Sequence, residues 1–146
     1  QGLSEDIAFA IEDHYKPRFA GDALPRNAVG TVVALADKLE TLAGMFGIGN
    51  LPTGDKDPFA LRRHALGVAR MLIEGGLPLQ FHELTRLAFS VFANGKLQDT
   101  VVQLDEFLIE RLKGYLKDSG YSVPEVDAAL YARQLGFWST VPRRLA

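Results

Sequence analysis

Cysteine is absent from the 146 residues, so neither a disulfide nor a thiolate zinc site can be built from this chain. No Asn-x-Ser/Thr sequon occurs either, and both absences suit a cytoplasmic protein, the expected location. Charge of one sign is also lacking. Sixteen Lys and Arg stand against 18 Asp and Glu, a net of −2, so no global basic field draws nucleic acid or an anionic membrane. Any such contact must come from a local patch. No run approaches the roughly 20 apolar residues of a membrane span, and no signal-peptide pattern opens the chain. Adjacent His-Asp, Gly-x-Gly-x-x-Gly and Gly-x-Ser-x-Gly are all missing, and no catalytic residue is assigned. What remains is an ordinary globular composition, 47% hydrophobic and 23% charged, of about one-domain size. The start at Gln1 and the end at Arg143-Arg144-Leu145-Ala146 suggest a piece of a longer protein.

Glycine and proline divide the sequence into six helical blocks. Ser4 can cap a first helix carrying Ile7, Ala8 and Ile11, which stops before Pro17. Asn27 can cap the second, whose apolar positions are Val29, Val32, Val33, Ala36, Leu39, Leu42, Ala43 and Phe46, a wide expected buried face. Asp57-Pro58 is a start signal for the third, aspartate as cap and proline at the first helical position. It runs to Gly75-Gly76. A fourth covers Pro78 to Ala93, a fifth Asp99 to Lys117 with Leu104, Phe107, Leu108, Leu112 and Leu116, and a sixth Pro124 to Leu135. No block shows the alternation of a strand. The expected fold class is all-α, a helical bundle.

Three constellations bear on chemistry. Gly49 and Gly54 have the separation of a phosphate loop, but Asp55 stands where its lysine belongs and Asp57 where its hydroxyl belongs, and a helix rather than a strand precedes. The expected role is a loop ending in a helix cap, with Asp57 occupying the free amides. Arg62, Arg63 and Arg70, with Lys56 upstream, give the third helix a modest basic surface, Arg63 and Arg70 being seven apart and so on one face. Such a surface is either a solvated face, a set of partners for acids, or a contact with a phosphate backbone. His14 and Asp37 fall on neighbouring helices and could contribute to a metal site, although two ligands are too few. The plainer role for Asp37 is a structural carboxylate paired with Lys38, Arg18 or a turn amide.

Three segments carry a resemblance: Glu12-Asp13-His14-Tyr15-Lys16-Pro17-Arg18-Phe19-Ala20-Gly21-Asp22-Ala23-Leu24-Pro25, Ala34 to Leu42, and Pro52-Thr53-Gly54-Asp55-Lys56-Asp57-Pro58-Phe59-Ala60-Leu61-Arg62-Arg63 with Ala65-Leu66-Gly67. In order and spacing they resemble the bacterial glycyl-tRNA synthetase beta subunit. Phe107 to Leu112, with Tyr115-Leu116 and Gly120-Tyr121, resembles its downstream helices. The likeness covers roughly residues 5 to 130. Asp55 departs where a serine is expected, Glu40 where an aspartate is common, and Phe81 to Gln98 is less familiar. A more distant likeness is to the second half of an HD-type phosphohydrolase domain, in which His14 and Asp37 would match two metal-ligand positions, vestigial here because the His-Asp pair is missing.

The resemblance implies one helical region, residues 1–146. Within it 1–75 would be an HD-like half and 76–146 further packed helices, preceding an anticodon-binding domain that is not in the sequence. It implies a subunit of a class II glycine–tRNA ligase made of two alpha and two beta chains. ATP, Mg²⁺ and glycine would be handled in the alpha subunit, and no cofactor or metal would be held in these residues. The expected role is scaffold and contact with tRNA-Gly, with Lys56, Arg62, Arg63 and Arg70 on backbone phosphates. Two alternatives stand beside it: an HD-type metal phosphohydrolase on His14 and Asp37, and a helical module docking the alpha subunit through aromatic residues such as Phe89, Phe92 or Trp138.

Overall fold

A computed structural model describes residues 4–131 and 138–145, and within them the regular elements are helices. The helices are α1 (Glu5–Asp13), α2 (Ala28–Gly47), α3 (Leu61–Glu74), α4 (Phe81–Ser90), α5 (Val101–Asp118) and α6 (Val123–Tyr131), followed by a 3₁₀ turn (Trp138–Thr140) and the short α7 (Val141–Leu145). The all-α expectation holds. Of the sixth expected helix, residues 132–135 lie outside the described residues. No described helix is long and apolar enough to cross a membrane.

Local signals set most of the ends. The Asn27 side chain accepts from the Gly30 amide at 2.7 Å, the cap that the sequence predicts for α2. The leucines of α5 recur every four residues, and Leu104, Leu108, Leu112 and Leu116 are buried as one stripe. α2 and α3 form the central pair. α1 and α4 pack on α2, and α5 lies against α2, α3 and α4. One hydrophobic cluster joins α2 through α7, and Trp138 is fully buried against Phe81 with ring centroids 4.5 Å apart. Trp138 is therefore a core residue rather than part of an exposed aromatic surface, and Phe89 and Phe92 are half-buried against the same core. Asp105 ties α5 to α4 by accepting from Thr85 Oγ1 at 2.7 Å and pairing with His82 Nδ1 at 2.8 Å.

The buried face of α2 differs from the expected one. Gly30, Ala34, Leu35, Lys38, Leu39, Leu42, Ala43 and Phe46 point inward, while Val29, Val32, Val33 and Ala36 are exposed, Val32 by 66%. A helix that is apolar all round offers more than one face of helical period, so periodicity alone does not choose between them. The uncovered strip continues onto Leu79, Leu87 and Val91.

Between α1 and α2 the chain runs without regular structure, and ion pairs hold it. Asp13, fully buried, accepts from the Arg26 amide at 2.9 Å, Arg26 Nε at 2.8 Å and Lys16 Nζ at 3.0 Å. Arg26 also pairs with Glu12 and lies over the Phe9 ring, 4.0 Å from its centroid. Asp22 is gripped by the Arg18 amide and Nε, both at 2.8 Å, and by the Ala23 amide at 3.0 Å.

These bonds set an acid limit. Hydrogen bonds from Arg26 hold the Asp13 carboxyl well below the usual carboxylate range, and those from Arg18 do the same for Asp22. The folded pKa is depressed in each case, so the stabilisation is present above the unfolded value of about 4 and fades as pH falls through the folded values. Thermal melts followed by circular dichroism should show a flat Tm near neutrality and a decline below about pH 4. Asp13→Asn should lower Tm at pH 7 and make the acid slope shallower; an unaltered slope contradicts this assignment.

Candidate functional site

The loop from Ile48 to Ala60 and the first turn of α3 build the corner that the sequence singles out. α2 ends at Gly47, and Gly49 turns the chain in the left-handed region at φ 83°. Thr53 and Lys56 then bond each other amide to carbonyl, at 3.1 and 2.9 Å, closing a tight turn over Gly54. Asp57 is the anchor: its carboxylate accepts from the Leu61 amide at 2.8 Å and the Arg62 amide at 2.9 Å. The free amides of α3 are thus taken by this chain's own carboxylate, as the sequence suggested. The helix nevertheless begins at Leu61, not at Pro58. Pro58 and Phe59 sit in a turn closed by the Ala60 amide on the Asp57 carbonyl at 3.2 Å, and Ala60 takes the cap position at φ 54°. Asp57 caps from a turn further back than the usual rule places it.

The four basic residues of the sequence reading separate into distinct roles. Lys56 and Arg63 are exposed. Arg62 is half-buried and donates through Nη2 to the Gly54 carbonyl, so it pins the loop to α3. Arg70 is withdrawn from this surface. It is 7% exposed, with Nε and Nη2 on the Glu74 carboxylate at 2.7 and 3.1 Å, and Nη1 on the carbonyls of Asp22 at 2.8 Å and Phe19 at 3.3 Å. The 19–22 turn covers the part of α3 that carries Arg70, which breaks the shared basic face expected from the seven-residue spacing. A guanidinium in that position is a fastening, not a phosphate contact.

The residue that sequence reasoning missed is Lys38. Attention fell on Asp37 beside it, yet Asp37 is half-buried and Lys38 is 3% exposed. The signal was present: Lys38 stands four residues after Ala34 and four before Leu42, in register with the buried face of α2. Its Nζ donates to the Tyr15 carbonyl at 3.2 Å. It lines a concavity of about 240 Å³ together with Tyr15, Arg18, Ala60, Arg63 and His64. Burial pushes the Lys38 ammonium down from its ordinary pKa, and burial followed by the Lys38 charge does the same to His64. Both shifts report poor solvation, and that of His64 also the neighbouring Lys38 charge.

His14 ends α1 with its Nδ1 2.7 Å from the Ile11 carbonyl, and its ring rests on Tyr15. Among the described residues no group of three or more His, Cys, Asp or Glu side chains gathers as a metal site around it or Asp37. The geometry offers cations and a cavity.

The chain is similar to known proteins. A family model described as glycyl-tRNA synthetase beta subunit matches residues 1–131. Proteins called glycine–tRNA ligase beta subunit match at 62% identity in Acidovorax sp. (strain JS42), over 99% of this chain and 20% of the relative. The corresponding protein of Methylobacillus flagellatus is 63% identical over 89% of this chain and 18% of its own. That of Thiobacillus denitrificans is 64% identical over 88% and 18%. The chain spans about a fifth of the length of the curated relatives it matches.

Arg70 gives the sharpest structural test of this corner. Arg70→Met would leave the Asp22 carbonyl and the Glu74 carboxylate without their guanidinium, and should destabilise the fold by about 2–3 kcal/mol. Urea unfolding measures this; a loss within about 0.5 kcal/mol, the range of an ordinary surface change, would show that Arg70 is no fastening.

Proposed function

The chain belongs to the glycyl-tRNA synthetase beta-subunit family, and from that premise we propose that it serves glycine–tRNA ligase as a scaffold and tRNA-contact region. In this reading residues 1–75, the HD-like half, present the contact surface and residues 76–146 brace it. The alpha subunit carries the ATP, Mg²⁺ and glycine chemistry of a class II synthetase, and the beta chain helps to hold tRNA-Gly for aminoacylation. The complex contains two chains of each kind and works in the cytoplasm.

The observation that supports it most is the cationic corner where the 51–57 loop meets α3. Lys56 and Arg63 face solvent there, Arg62 lies between them, and Lys38 sits behind in the cavity. With a net charge of −2 the chain as a whole repels a polyanion weakly, so a local cluster is where a phosphate backbone can be held. Asp57 does not cancel it, because its carboxylate is committed to two amides. Asp55 is the exposed acid of the loop and bounds the patch. Contacts of this type give affinity and position the nucleic acid, and read no base.

The test uses the intact alpha–beta enzyme with Lys56→Ala and Arg63→Ala. Each lost phosphate contact should make tRNA-Gly binding less salt-dependent, by about 0.7–0.9 in the slope of log K against log salt. Aminoacylation should slow through the KM for tRNA, while tRNA-independent activation of glycine by ATP stays at the wild-type rate. An unchanged salt slope in the double variant removes these residues from the tRNA interface.

A further inference from the structure

We propose that the cavity between the 15–18 turn, α2 and the first turn of α3 is a binding site for a phosphate group, with Lys38, Arg63 and His64 as its donors. The floor is Lys38, a residue 3% exposed whose Nζ has one acceptor within hydrogen-bond distance among the described residues, the Tyr15 carbonyl. An ammonium has three protons to give. No carboxylate oxygen of the described residues comes within 4.0 Å of it.

The surrounding acids are accounted for. Asp22 is bound by Arg18 and the Ala23 amide, and Asp57 by the amides of Leu61 and Arg62. Asp37, next to Lys38 on α2, and Asp22 act on the ammonium only as more distant charges. A buried cation with no carboxylate in contact is costly, and an anionic ligand would supply the missing charge. Arg70, the other buried cation, makes the contrast plain because Glu74 neutralises it.

The fold also makes room for this lysine. Gly67 on α3 faces its stem, and a Cβ there would stand 2.6 Å from Lys38 Cε and 3.0 Å from Cδ. A Cβ at 67 would require the Lys38 stem to shift. Arg63 at the rim and the half-buried His64 add donors from α3, while the Arg18 fork is already spent on Asp22. A floor ammonium with a rim guanidinium suits a phosphate oxyanion, taken as a point charge by the lysine and through paired N–H groups by the arginine. The volume of about 240 Å³ admits one such group. The phosphate can belong to the backbone of bound tRNA or to a free phosphate; only the first source rests on the function proposed above.

The experiment follows thermal unfolding of the intact beta subunit as inorganic phosphate rises from about 1 to about 30 mM at constant ionic strength. Wild type should gain about 2 °C or more, and Lys38→Met and Arg63→Gln should gain nothing. Without phosphate, Lys38→Met should melt within about 3 °C of wild type, the lost bond to the Tyr15 carbonyl being offset by removal of a poorly solvated ammonium. A phosphate response equal in all three proteins overturns the site. So does a Lys38→Met protein that loses stability while Arg63→Gln keeps the full response, because Lys38 is then only a strut for the Tyr15 carbonyl. If Lys38→Met fails to fold, the Arg63→Gln response decides on its own. A second arm measures tRNA-Gly affinity of the Arg63→Gln and Gly67→Ala enzymes. A weakening of about 5- to 10-fold assigns the phosphate to the tRNA backbone, whereas a lost phosphate response with unchanged tRNA affinity assigns it to a free phosphate.

Discussion

The connection between α1 and α2 has to satisfy its carbonyls without a helix or sheet, and two cations reach across the central helices to do it. Lys38 of α2 donates to the Tyr15 carbonyl, and Arg70 of α3 to those of Phe19 and Asp22. Buried peptide groups left without partners are costly, so these two side chains fix where residues 15–22 can lie. Once that segment is fixed, it walls one side of the cavity whose other walls are α2 and the start of α3. The two cations differ in one respect that matters. Arg70 has Glu74 on its own helix, and Lys38 has no comparable partner among the described residues. One is a closed fastening and the other leaves positive charge directed at a cavity.

The chemistry available at this corner follows from what Asp57 consumes. A helix start is ordinarily a place where an anion meets free amides. Here Asp57 fills that role for α3, which leaves side-chain cations as the donors able to meet an external phosphate. Arg62 holds the loop in register with the helix, so Lys56 and Arg63 are presented from an ordered turn rather than a free strand of chain. Such a surface suits the holding of a polyanion in position, the role proposed above.

Much of the fold was legible in the sequence, and the failures share a cause. Asn27 as a cap, the glycine stops of α2 and α3 and the four-residue leucine ladder of α5 are local signals that the structure follows, whereas α4 ends at Ser90, short of the stop expected at Asn94-Gly95. The buried face of α2 was not legible, because a helix apolar on all sides leaves the choice to its neighbours, and they chose Leu35 and Lys38 over Val32 and Ala36. Arg70 reads as a surface charge by helical spacing, and only the chain returning at residues 19–22 buries it. Lys38 was hidden by its charge, which usually marks the outside of a helix. The candidate site was thus half visible: the loop and Arg62–Arg63 from the sequence, the cavity behind them from the packing alone.

The most direct measurement of the central claim is a structure of the intact enzyme with tRNA-Gly bound. A phosphate oxygen within hydrogen-bond distance of Lys38 Nζ or Arg63, with Lys56 near the same stretch of backbone, is the result this account predicts. A tRNA backbone that passes this corner by, with the cavity filled by a carboxylate or side chain from another part of the enzyme, would contradict it.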